Sequence, residues 1–255
     1  MDVLLESKSI TKQFGGLAAL QDVSFELNKG EIFSIIGPNG AGKTTFFNCV
    51  TGLYPPTSGS LYFQGENING IAPYNITKLG IARTFQNIRL FAEMTALENV
   101  MVGMHCRTDS GVLSALVRHK GMVREESTIA DTAMSLLKFV GLQDKQDSWA
   151  RNLAYGDQRR LEIARAMATK PTLLCLDEPG AGMNPQETNE LMNLIRKIKA
   201  QGITILLIEH HMKVVMGISD RIVVLDHGVK IAEGNCKDIQ CNQKVIEAYL
   251  GKEEN

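Results

Sequence analysis

The residues best equipped for chemistry stand in one run, Gly37-Pro38-Asn39-Gly40-Ala41-Gly42-Lys43-Thr44, which satisfies G-x-x-x-x-G-K-[ST] at every fixed position. It follows a short apolar stretch, IFSII, and opens a helical pattern. Glycines let a backbone wrap a phosphate with successive N–H groups pointing inward, and the N-terminus of the next helix adds favourable potential. Lys43 brings a cation for the β- and γ-phosphates, and the Thr44 hydroxyl is of the kind that ligates Mg2+. With Thr45 beside them, these residues form the expected nucleotide-binding set. A glycine-rich turn with a chance lysine is the bland alternative, and the strand–loop–helix context argues against it.

A second group, Leu173-Leu174-Cys175-Leu176-Asp177-Glu178-Pro179, delivers two carboxylates at the end of an apolar strand, the edge where open α/β sheets place ligands. Asp177 is expected to hold Mg2+, directly or through water. Glu178, expected to point the other way along the pleat, would polarise a water for in-line attack on a γ-phosphate. Alone, Asp-Glu-Pro is equally a common strand-to-turn exit; beside the Lys43 loop it reads as hydrolytic.

Positioning these groups requires a sheet. Residues 32–36, 173–176, 204–208 and 222–225 are short continuous apolar runs, as expected of strands buried on both faces. Helical patterns at 42–51, 158–169 and 185–200 separate them, which predicts a parallel sheet flanked by helices. Residues 4–14, 23–27 and 60–63 alternate apolar and polar, the pattern of a half-exposed antiparallel sheet. Between about 86 and 155 the grain turns helical, notably at 94–104 and 127–139, with a weakly patterned basic stretch at 107–126 expected to be a loop with a short helix.

Bulk properties narrow the classes. The 255 residues hold 27 basic and 28 acidic side chains, a net charge of -1, which argues against a nucleic-acid surface. Five scattered cysteines do not make a disulfide framework, and a reducing compartment is expected; Cys236 and Cys241 lack the partners of a zinc site. The N-terminus has no signal-peptide pattern, and no apolar stretch approaches the roughly 20 residues that cross a bilayer, so a membrane role would need a spanning partner.

The phosphate loop, LLCLDEP and the helical stretch between them resemble the nucleotide-binding domain of ABC transporters over nearly the whole chain. The implied fold is α/β: a P-loop NTPase of the ABC type with an antiparallel β subdomain and an inserted helical subdomain. One ATPase domain would span 1–255, its core at about 1–86 and 159–255 and its helical subdomain at about 87–158. The resemblance assigns ATP and Mg2+ as cofactors and makes Gln86, in Thr84-Phe85-Gln86, a contact to Mg2+ and the attacking water. His210 matches the switch histidine, and Phe14 takes the place of the aromatic that stacks on adenine, although a lone Phe on such a strand is equally often core. Residues 180–185 (GAGMNP), with Gly182 and Asn184, match the loop that crosses to a second subunit.

The family's signature is usually Leu-Ser-Gly-Gly-Gln; here the segment is Leu153-Ala154-Tyr155-Gly156-Asp157-Gln158. Ala154 lacks the hydroxyl that would donate to the opposite subunit's γ-phosphate, a hydrogen bond worth about 1.5–3 kcal/mol. The helix N-terminus and the Gly156 N–H remain able to face that phosphate. His211 and Asn184 stand where relatives often carry Asp, and His211 removes the acidic partner that this position would give His210. One copy of each motif implies a dimer of such domains, identical or merely similar.

Within the family, RTFQNIRLF, NLAYGDQRRLEIAR and LIEH most resemble the larger ATPase subunit of branched-chain amino-acid importers. That resemblance implies a second ATPase subunit, two membrane-spanning permease subunits, an extracytoplasmic substrate-binding protein acting indirectly, and a peripheral place on the cytoplasmic face of the inner membrane. The apolar residues Ile88, Leu90, Phe91 and Met94 are either a surface for a permease helix or internal core. Motifs alone leave open a lipopolysaccharide-exporting ATPase, an importer ATPase for another small polar solute such as urea, and a non-transport ATPase of the same fold. A nucleotide-binding module without turnover is disfavoured by Glu178 and His210.

Overall fold

The computed structural model describes residues 2–104 and 120–250, with side chains described for all of these except 120–128 and 250. The chain divides into two compact units, one of Met1–Arg83 with Thr172–Asn255, the other of Thr84–Pro171.

The first unit holds two sheets. Strands β1 (Val3–Phe14) and β2 (Leu17–Asn28) pair antiparallel around Gly15-Gly16, where Gly15 takes a φ of 56°. With β4 (Ser58–Phe63) and β5 (Glu66–Asn67) they form a four-stranded sheet in the order β2-β1-β4-β5. Its alternating apolar residues bury one face, including Leu5, Ile10, Val23, Leu27 and Leu61.

The second sheet has the order β10-β9-β3-β8-β7-β6, with β3 (Ile32–Ile36), β6 (Ile81–Arg83), β7 (Leu173–Asp177), β8 (Thr204–Ile208), β9 (Arg221–Asp226) and β10 (Val229–Gly234). All pairings are parallel except β10 on β9. Every residue of β3, β7 and β8 is buried, which explains their unbroken apolar sequences. Because β8 lies between β3 and β7, the loops leaving the C-terminal ends of all three are neighbours. Phe33 of β3 sits beside the phenylalanine of β2, Phe25, at 5.0 Å between ring centres, and Phe46 completes the cluster at 4.9 Å from Phe25.

Helices α1 (Lys43–Val50), α2 (Pro73–Leu79), α6 (Pro185–Ala200), α7 (Met212–Ile218), α8 (Cys236–Gln240) and α9 (Gln243–Leu250) belong to this unit. The short helix α2 and the three-residue edge strand β6 are absent from the sequence reading, being too short to show a period.

The second unit is built on α3 (Ala96–Met104), α4 (Lys120–Phe139) and α5 (Tyr155–Ala168). The expected start of α3 at 94 moves to 96, because Thr95 and Glu98 exchange hydrogen bonds in a capping box: Thr95 N–H to Glu98 Oε2 at 2.7 Å and Glu98 N–H to Thr95 Oγ1 at 3.2 Å. A Cβ at Gly103 would lie 2.3 Å from the Arg165 carbonyl oxygen, so glycine permits α3 to approach α5 closely. Of the stretch 107–126, expected to be a loop with a short helix, the helical part is found. Residues 120–126 belong to α4, consistent with the strong helix formers Lys120, Met122, Arg124, Glu125 and Glu126, whereas 105–119 lie outside the described residues. Among the described residues no helix is long and apolar enough to cross a membrane, and Cys49, Cys175, Cys236 and Cys241 are free thiols.

Candidate active site

The phosphate loop leaves β3 at Gly37 and enters α1 at Lys43. Gly37 and Gly42 have φ of 149° and 99°; a Cβ would lie 2.0 Å from the Leu225 carbonyl oxygen in the first case and 2.5 Å from that of Ala19 in the second. Only glycine lets the loop take this path against its neighbours. The Lys43 ammonium folds back into the loop, donating to the carbonyls of Gly37 at 2.7 Å and Pro38 at 2.8 Å. Burial pulls its pKa below the usual lysine value, and the charges of Glu178 and Asp177 offset this only in part. A buried cation inside a ring of backbone curvature suits a polyphosphate. Thr44 is exposed and Thr45 half-buried on the first turn of α1.

Asp177 ends β7 with its carboxylate buried at 2 % exposure, and Arg83, from the end of β6, donates to its Oδ2 at 2.7 Å. The same guanidinium donates to Asn48 Oδ1 at 2.6 Å and Thr51 Oγ1 at 3.1 Å, joining the aspartate to α1 and the turn that follows it. Thr44 and Asp177 offer the hard oxygen donors that Mg2+ takes alongside phosphate and water. Among the described residues no cluster of three or more His, Cys, Asp or Glu is placed to hold a metal ion.

Glu178 does not continue the pleat of β7. Its φ is 47°, a left-handed turn, and its N–H donates to the Ile208 carbonyl at 2.9 Å, so the turn and not strand alternation sets its direction. The turn brings Oε2 of Glu178 to 3.5 Å from Nδ1 of His210. His210 therefore has an acidic neighbour, supplied by the adjacent strand and not by position 211. His211 packs edge-on to it, ring centres 4.4 Å apart.

Phe14 is 43 % exposed at the end of β1, so it is not core. Its ring meets Tyr54 edge-on at 5.3 Å, with the Lys12 ammonium 5.1 Å from its centre. Gly182 takes a φ of 75°. Asn184 caps α6: its Oδ1 accepts from the N–H groups of Gln186 and Glu187 at 2.9 and 3.0 Å, while its own N–H donates to Glu187 Oε2 at 2.9 Å. Asn and Asp serve equally as such caps, which accounts for asparagine here.

In the second unit, Gln86 is exposed on the turn before α3. Arg159 of α5 holds that turn, donating to the Phe85 carbonyl at 2.6 Å and to the Gln86 carbonyl. Glu162 accepts from the N–H groups of Phe85 and Arg89 at 3.2 and 3.4 Å, and burial raises its pKa against those bonds. Leu153 and Gly156 are buried, Tyr155 is exposed with its hydroxyl accepting from Arg159 at 2.9 Å, and Ala154 is the N-cap of α5 with no side-chain bond. Asp157 is buried between Lys145 and Arg160; burial opposes its ionisation, but the two cations outweigh that and hold its pKa below the usual value. Arg83, Glu209, Arg159 and Glu162 carry this architecture, yet no motif reading singled them out. Each lies in a stretch that carries the family resemblance, RTFQNIRLF, NLAYGDQRRLEIAR or LIEH, but nothing there marked the individual residue beyond a charge within an apolar segment.

Residues 20–181 match the family described as ABC transporter. The chain belongs to the ABC transporter family. The cassette is an ATPase by that membership, and its last part, residues 229–255, matches a second family described as branched-chain amino acid ATP-binding cassette transporter. It is 49 % identical over 250 residues to the high-affinity branched-chain amino acid transport ATP-binding protein LivG of Salmonella typhimurium, covering 98 % of each chain. In structure the cassette resembles the ADP conformation of MJ1267, an ATP-binding cassette of an ABC transporter, with TM-score 0.85 and 34 % identity over 99 % of this chain and 100 % of that one. It also resembles the dimeric post-hydrolysis state of the cassette MJ0796 bound to ADP and Pi, with TM-score 0.77 and 27 % identity over 91 % and 98 % of the two chains.

Proposed function

We propose that the cassette powers an importer of the branched-chain amino acids leucine, isoleucine and valine. The observation that carries this is its 49 % identity to LivG along 98 % of both chains. The match of residues 229–255 to the branched-chain cassette family favours this cargo over a lipopolysaccharide or urea carrier.

In this reading the loop 37–45 and Lys43 bind the phosphates of ATP, with Phe14 against adenine. Thr44 and Asp177 hold Mg2+, with Gln86 as a further contact; the ion neutralises phosphate charge. Glu178 accepts a proton from the attacking water, and His210, beside it, donates to the γ-phosphate. Residues 153–157 face the ATP of a second cassette, reached through Gly182 and Asn184; the dimeric likeness supports such a pairing. Two permease subunits would span the inner membrane, fed by an extracytoplasmic binding protein, with this chain on the cytoplasmic face.

Uptake of labelled leucine at low concentration, in cells lacking other leucine carriers, tests the proposal. Glu178→Gln should abolish uptake and lower ATP turnover by about 10²–10⁴-fold while ATP still binds. Unchanged leucine uptake would assign the ATPase to another cargo; unchanged turnover would remove Glu178 from the base role.

A further inference from the structure

Glu178 and His210 sit on loops that leave different strands, β7 and β8. A second acidic residue joins those loops. Glu209, directly after β8, is fully buried at 0 % exposure. Its Oε2 accepts the backbone N–H groups of His210 at 3.0 Å and His211 at 3.1 Å. Its Oε1 reaches across to the other loop and accepts the N–H of Gly180 at 2.8 Å, two residues beyond Glu178. A Cβ at Gly180 would lie 2.7 Å from that same Oε1, so the seat is shaped for a carboxylate against bare backbone. An ionised carboxyl only accepts hydrogen bonds, and three converging N–H donors match it.

We propose that Glu209 is a positioning residue for ATP hydrolysis, one that pins the His210 turn to the loop carrying Glu178. It acts through backbone and touches no nucleotide. Its effect is to keep Nδ1 of His210 3.5 Å from Oε2 of Glu178, a separation set otherwise only by side chains that are part exposed. The proposal rests on the reading of Glu178 and His210 as the hydrolytic pair.

The test compares the full chain with Glu209→Gln, His210→Ala and the double variant, reading kcat, KM, binding of a fluorescent ATP analogue and melting temperature. Glutamine preserves size but turns an NH2 group toward donors. Glu209→Gln should lower kcat about tenfold or more and leave ATP affinity within about twofold. The double variant should be no slower than His210→Ala alone, because both losses pass through one group. A purely structural role would instead give a double variant slowed by the product of the single effects, and that result, or an unchanged kcat, overturns the proposal. If Glu209→Gln does not fold, Gly180→Ala decides: it crowds Oε1 and should show the same kcat loss and the same non-additivity, whereas wild-type kcat overturns the proposal. Full turnover in His210→Ala would overturn the reading of the pair together with this proposal; a slow His210→Ala beside a fast Glu209→Gln overturns this proposal alone.

Discussion

Arg83 and Asp177 form an ion pair whose side chains are 8 % and 2 % exposed, and the guanidinium also bonds Asn48 and Thr51. Deleting one member of a buried pair strands the other in low dielectric. Arg83→Met should therefore cost about 3–5 kcal/mol in chemical denaturation, far more than the loss of any exposed pair such as Arg151 with Glu93. Lys43, Thr44, Asp177 and Glu178 were legible in the sequence because their chemistry is contiguous: one loop, one strand end. Arg83 and Glu209 were not, because each acts on a residue brought near by pairing between strands distant in sequence, β6 with β7 and β7 with β8. Strand alternation does not fix the direction of Glu178 for a related reason. Alternation describes a strand, and the strand ends one residue earlier.

Helix α5 is preceded by Ala154, an N-cap whose side chain offers no oxygen to the orphan N–H groups of the first turn. Ala154→Ser should stabilise the cassette by about 0.5–2 kcal/mol, read as a raised denaturation midpoint. Three residues on, Asp157 is tied to Lys145 and Arg160. Its folded pKa is depressed below 3.8, so its stabilisation is present above the unfolded value and is lost as pH falls through the folded one. Asp157→Asn should accordingly be less stable than the parent at pH 7, by about 1–3 kcal/mol, and the gap should close in acid below about pH 4. Buried strands and long helices showed plainly in the sequence through their runs and periods. The bounds of α6 matched as well, at Pro185–Ala200, but the start of α3 did not show, since it is set by a Thr95–Glu98 exchange, a local hydrogen-bond choice that periodicity does not see.

At the scale of the molecule, the sequence announced an α/β body with a helical insertion, and the chain folds as two compact units of that character. Phe91, in the second unit, settles the choice left open between core and surface for itself: it is 46 % exposed, its ring under the Arg165 guanidinium at 5.6 Å and its backbone held by Asn99 at 2.9 and 3.0 Å. Phe91→Glu should leave ATP binding intact and abolish co-purification with the permease subunits; retained co-purification would free this surface from that role. Within the same unit, Arg159 and Glu162 grip the backbone on both sides of Gln86 from the helix that begins with residues 153–157. A turn fastened by both its carbonyls and its N–H groups has no slack against that helix. A displacement of Gln86 would therefore carry the start of α5, with Gly156, along with it, as if turn and helix had been cast in one piece.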